Sequence, residues 1–140
     1  MGRRDGRVGL GTWGASVEIP KDVVSFRQNL EPLVADGKLS PSGRTQWGWQ
    51  LAGTSMYTER SGICVTKPGH LYYVWGDEVS ASTLGKAMLV AGCAYGMHLD
   101  MNPHHTGFVF VGIRDYARKD YDAKLLTPLM EIMPERYLEF

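Results

Sequence analysis

An α+β fold is predicted for this chain: a mixed, sheet-rich unit packed by one principal amphipathic helix. Three observations predict it. Residues 61–67 and 71–75 are apolar, β-branched and aromatic runs separated by Pro68-Gly69, a hairpin signal. Residues 80–93 place Leu84, Ala87, Met88 and Ala91 at i, i+3, i+4 and i+7, which is one face of a helix. Residues 97–102 and 106–113 then return to strand character.

Taken in order, Val8, Leu10 and Thr12 alternate after the turn residues Asp5-Gly6, as in a short strand. Residues 23–34 read as a strand and turn or as a short helix ending before Pro32. Asp36-Gly37-Lys38 is a tight-turn signal. Residues 39–53 hold Pro41, Ser42, Gly43 and two tryptophans, and read as loop passing into a short strand. The helix has a start at Ser80, favoured by Asp77 and Glu78, and stop signals at Gly92 and Gly96. Its apolar face is expected to pack on a sheet containing Ile63, Val74, Leu99 and Val109. The tail from Arg114 is charged and then amphipathic, with Pro128 and Pro134 interrupting it.

With 140 residues the chain has room for one domain. Fifteen basic against fifteen acidic side chains supply no general attraction to nucleic acid, so none is expected as a partner. No apolar run reaches the length of a membrane span, and no apolar stretch follows Arg3-Arg4 as in a signal peptide. Seventeen glycines are about 12% of the chain against an average near 7%, which implies frequent turns and close backbone approaches. Cys64 and Cys93 are too few for a disulfide framework. Either one bridge or two buried thiols fits them.

The strand at 97–102 carries the most chemistry. Alternation turns Met97, Leu99 and Met101 one way and His98, Asp100 and Asn102 the other. A His-Asp-Asn face is poor core material, because buried polar groups need partners. Asp100 is therefore a candidate catalytic carboxylate, although capping the next turn would also account for it. His104 and His105 follow on a short loop, where an unperturbed imidazole serves proton transfer or is simply solvated. With Asp100 they lack a third ligand, so no metal or other cofactor is expected. Arg60 could hold a phosphate or carboxylate by a two-pronged hydrogen bond. Trp47, Trp49, Tyr57, Tyr72, Tyr73 and Trp75 suit sugar stacking or core filling.

In linear order, Leu33-Val34-Ala35-Asp36-Gly37-Lys38, then Arg60-Ser61-Gly62-Ile63-Cys64, then Gly69-His70-Leu71-Tyr72-Tyr73-Val74 lead into a helix holding Thr83-Leu84-Gly85-Lys86-Ala87-Met88. Gly92-Cys93-Ala94-Tyr95-Gly96-Met97-His98-Leu99-Asp100 follows. This succession, over residues 33–108, resembles the phosphodiester glycosidase family, and a diverged bacterial subgroup of it in particular. Arg60, Ser61 and Asp100 match the family's arginine, threonine and terminal aspartate. Met101-Asn102-Pro103-His104-His105-Thr106 stands where the family has a glycine-rich run, and the family's N-terminal Asn-Gly-Gly-Phe segment has no counterpart.

The resemblance implies a hydrolase cleaving a sugar-phosphodiester linkage. Asp100, Arg60, His104 and His105 would be catalytic, and Asn102, His98 and Ser61 would bind substrate. Asp100 would act as base or nucleophile, Arg60 would balance phosphate charge, and a loop histidine would manage the leaving proton. Glu59 is the nearest second carboxylate to Arg60 in sequence. The ligand is a saccharide or sugar-phosphate, and the location is exported or periplasmic. The chain is expected to be an incomplete C-terminal part of that domain, with apolar surface exposed and a missing segment or self-association covering it. The alternative is a noncatalytic glycan-binding or cell-envelope module that keeps the fold.

Overall fold

Two short strands, β1 (Gly2–Arg3) and β2 (Val23–Ser25), pair as an antiparallel ribbon at the N-terminal end of the computed structural model, which describes residues 1–12, 18–27, 29–41 and 57–131. The main sheet contains β3 (Pro32–Ala35), β4 (Lys38–Leu39), β5 (Thr58–Thr66), β6 (Leu71–Val79) and, after helix α1 (Ala81–Val90), β7 (Cys93–His98). Its order is β4-β3-β7-β5-β6, with every pair antiparallel. A separate antiparallel hairpin, β8 (Val109–Asp115) with β9 (Asp120–Leu125), follows.

Local chemistry accounts for these elements. Asp36 and Gly37 both have positive φ, 51° and 70°, so the two-residue turn joining β3 to β4 is of the primed kind that matches strand twist. Ser80 caps α1 in extended geometry, its hydroxyl accepting the Thr83 N–H at 3.1 Å. Gly92, at φ 81°, follows the last helical turn. Because β6 and β7 flank β5, the helix between them crosses one face of the sheet.

The buried helix face is Ala81, Leu84, Gly85 and Met88. This corrects the expected stripe, since Ala87 and Ala91 are exposed. Close packing selects the register: Gly62 and Gly96 lie against Met88, and Gly85 against Leu33. Leu33, Val34, Leu84 and Met88, each at most 2% exposed, form the core with the Cys64–Cys93 disulfide. Burial of each of these large side chains contributes roughly 1.5–3 kcal/mol.

Other expectations shift. The strand predicted over 97–102 begins at Cys93, directly after the helix, and ends at His98. Leu99 still continues the pairing, its N–H donating to Ser61 O at 2.9 Å. Val109 belongs to the separate hairpin rather than the main sheet. The charged tail forms β9, whose polar-apolar alternation hides a strand among charges. Residues 8–12 make only an isolated bridge, Gly2 with Val8. Residues 23–34 hold β2 and the start of β3, with no helix among the described residues. Trp47, Trp49 and the strand expected near them lie outside the described residues, as does the chain beyond 131. No described helix is long and apolar enough to cross a membrane.

Candidate functional site

Register brings distant residues together at one corner of the sheet. β5 and β7 are neighbours, with Gly62 opposite His98. Beyond the strand end, Ser61 N donates to Asp100 O at 3.0 Å, and Ser61 Oγ donates to the same oxygen at 3.1 Å. Arg60, Ser61, His98 and Asp100 thereby meet across a sequence separation of about forty residues.

Alternation sends Arg60, Gly62 and His98 to the helix side of the sheet. Arg60 is 1% exposed; its Nε donates to Val79 O at 2.9 Å, and its Nη1 lies 3.3 Å from His98 Nε2 and 3.7 Å from Met101 Sδ. Burial lowers the Arg60 pKa. His98 is fully buried, and burial, then the Arg60 charge, pushes its pKa down to about 4 against a smaller upward pull from Asp100. The imidazole is therefore neutral near pH 7.

Asp100 is exposed, and its Oδ1 accepts the N–H groups of Met101 and Asn102, both at 2.8 Å. Oδ2 accepts no hydrogen bond among the described residues. Asn102 serves the next turn: its Oδ1 accepts His104 N at 3.1 Å, and its carbonyl accepts His105 N, Thr106 N and Thr106 Oγ1, each at 2.8 Å. These bonds organise the loop after β7. His104 and His105 are exposed on it, and His104 Nδ1 lies 4.0 Å from Glu131 Oε2. Among the described residues, Asn102, His104 and His105 bond to this loop and to Glu131, and no hydrogen bond joins them to Arg60. A cavity of about 400 Å³ lies elsewhere, lined among others by Leu10, Phe26, Leu30, Tyr95 and Met97, and none of the seven predicted residues borders it.

The opposite face holds a second polar group. Ser61 pairs with Trp75 and Ile63 with Tyr73, so these side chains share the face away from α1. The register shifts between Thr58 and Arg60, so alternation does not reach Glu59; its charge acting on Tyr73 sets it beside this group. Glu59 is 4% exposed; burial, then repulsion from Glu131 and Asp77, lifts its pKa to about 7. Its Oε2, the Tyr73 hydroxyl and the Trp75 Nε1 are buried without a hydrogen-bond partner among the described residues. Burial is also the main cause of a raised Tyr73 pKa, opposed by Ser61 and reinforced by Glu59. Ser61 Oγ meanwhile points its hydrogen bond at Asp100 O, so Tyr73 relies on proximity rather than a formed bond. Sequence reasoning noted Glu59 only as Arg60's neighbour. The irregularity between Thr58 and Arg60 is why alternation along the sequence does not assign Glu59 a face.

Phe108 packs at a tilt against Tyr73 with ring centroids 5.0 Å apart, and Phe110 meets Phe108 edge-on at 5.2 Å, tying the β8–β9 hairpin to this face. Comparison with family models, curated proteins and solved structures finds no match for this chain.

Proposed function

We propose that the chain is a hydrolase of the phosphodiester-glycosidase type, acting on a sugar-phosphodiester linkage at the corner formed by β5 and β7. One observation carries the reading: Asp100, held in orientation by two backbone N–H groups, keeps an open carboxylate oxygen beside the buried Arg60–His98 pair. A carboxylate fixed in this way needs little reorganisation to meet a reacting carbon.

In the proposed reaction, Asp100 Oδ2 attacks the anomeric carbon, and the bond from that carbon to the phosphate oxygen breaks. The electron pair leaves with the phosphate, and water later cleaves the glycosyl ester. Arg60 acts from beneath by its charge, since its burial removes it from direct contact. His104 or His105, exposed on the adjoining loop, exchanges protons with the departing oxygen or incoming water. The Cys64–Cys93 bridge supports placement in an oxidising compartment, in keeping with an exported protein.

A second reading, a noncatalytic glycan-binding module, is favoured by the burial of Arg60 and His98, which serves the fold as well as it serves a site. The discriminating experiment is an assay of the chain against N-acetylglucosamine in phosphodiester linkage to mannose. Sugar release that falls roughly a thousandfold or more in Asp100→Asn, with unchanged melting, supports the hydrolase. Full activity in that variant overturns the role of Asp100. Absence of cleavage across a panel of phosphodiester-linked sugars leaves the binding module.

A further inference from the structure

We propose that the face of β5 and β6 away from α1 is a binding site for a neutral saccharide, engaged by Glu59, Tyr73 and Trp75. The site is independent of the hydrolase reading, because Tyr73 and Trp75 pair with Ile63 and Ser61 on the other side of the sheet from Arg60 and His98.

Three buried polar atoms without partners among the described residues are the first argument: Glu59 Oε2, the Tyr73 hydroxyl and Trp75 Nε1. A buried polar atom left unmatched costs about 1–3 kcal/mol, so a cluster of three calls for something to satisfy it. Their chemistry narrows the ligand. The indole N–H only donates, the phenol donates and accepts, and a carboxyl with a pKa of about 7 is present in both forms near neutrality. Sugar hydroxyls, which both donate and accept, match all three. An ammonium group would satisfy Glu59 and leave the indole N–H without an acceptor.

The surroundings agree. Tyr73, Phe108 and Phe110 pack in series, tilted and edge-on, and border the polar group with aromatic carbon against which the apolar side of a sugar ring can pack. Asp77 and Glu131, both exposed, lie close enough to raise the Glu59 pKa, and their charge disfavours an anionic ligand. The site therefore selects against the phosphate-bearing substrate expected at the β5–β7 corner.

The test follows the Trp75 indole N–H by proton–nitrogen correlation NMR, its resonance identified by its loss in Trp75→Phe. Glucose and N-acetylglucosamine, added at millimolar concentration to the whole chain, should shift it saturably. Glucose 1-phosphate at matched ionic strength should shift it at least tenfold more weakly, and Glu59→Gln should weaken neutral-sugar binding by a similar factor. An indole resonance that no neutral sugar moves, or equal response to the phosphorylated sugar, overturns the proposal. A Glu59→Leu variant that melts higher yet shows the same sugar-induced shift also overturns it, because the carboxyl would then be unmet polarity and no part of a site.

Discussion

Arg60 Nη1 and His98 Nε2 lie 3.3 Å apart on the helix side of the sheet, joining β5 to β7 beneath the core. A guanidinium only donates, so Nε2 accepts and the imidazole proton sits on Nδ1. The pair is thus a cation beside a neutral ring, and protonating His98 would set two positive charges against each other in a buried place. Its counterpart, Glu59, is the reverse case: a carboxyl that burial and two neighbouring carboxylates hold toward its neutral form.

These two groups give opposing pH dependences. His98 falls from 6.5 to about 4, so the folded state binds fewer protons than the unfolded one in between, and stability is lost as pH drops through that window. Glu59 rises from 4.5 to about 7, so the folded state binds more protons, and stability is lost as pH climbs through its window. Each effect is on the order of 3 kcal/mol, and they offset one another where the windows overlap. Denaturant melts of Glu59→Gln should show stability rising steeply between about pH 4.5 and 6.5, where the unsubstituted protein is nearly flat. A flat profile in the variant would mean that His98 is not held neutral by the fold.

Reducing Cys64–Cys93 should destabilise the chain. The bridge closes a loop over a separation of 29 residues, for which chain entropy implies about 3–4 kcal/mol. A Cys64→Ser/Cys93→Ser variant should melt lower than the oxidised protein and show no further change with reductant. Equal melting of the two would show that packing around Met88 alone holds β5 to β7.

Gly62 is a close-packing position. A Cβ there would meet Met88 and would lie 2.9 Å from Met97 O. Gly62→Ala should cost about 1–3 kcal/mol by overpacking. Adding Met88→Ala should recover only part of the loss, since the flexible side chain can be removed and the backbone oxygen cannot. Full recovery in the double variant, measured as a thermodynamic cycle, would contradict the role given to Met97 O.

Asp100 separates structural from chemical roles. Asp100→Ala removes the acceptor of two N–H groups and should destabilise by about 1 kcal/mol, while Asp100→Asn keeps an acceptor oxygen and should melt close to the unsubstituted protein. If Asn destabilises as much as Ala, the carboxylate charge itself is holding the turn.

Much of the architecture was legible in local pattern. Pro68-Gly69, Asp36-Gly37 and Ser80 mark turn and helix boundaries through backbone geometry that neighbouring residues alone impose. Alternation and motif order lead to the expectation that Asp100 shares a concave site with Arg60, Asn102 and a loop histidine. Among the described residues Ser61 bonds to Asp100 and Arg60 to Val79, His98 and Met101, while Asn102 and His104 contact their own loop and Glu131. What pattern could not supply was packing. Leu84, Ala87, Met88 and Ala91 satisfy helical periodicity as well as the observed face does, and only the close approach of Gly62, Gly85 and Gly96 selects the latter. Likewise β9 reads as a charged tail because a strand paired on an exposed hairpin needs no apolar face.

The sequence by itself determined the hairpin, the capped helix and the residue types able to carry acid–base or sugar chemistry, since these depend on backbone preference and periodicity. Tertiary structure alone decided which of those residues are available. Pairing of β5 with β7 buries Arg60 against His98, and the turn after β7 fixes Asp100 Oδ1 on its own backbone. Pairing of β5 with β6 sets Tyr73 and Trp75 on the opposite face, where the Glu59 charge acts on Tyr73. Accessibility and charge state are set by neighbours distant in the chain, so residues with identical propensities end as core, cap or site according to the register that brings those neighbours together.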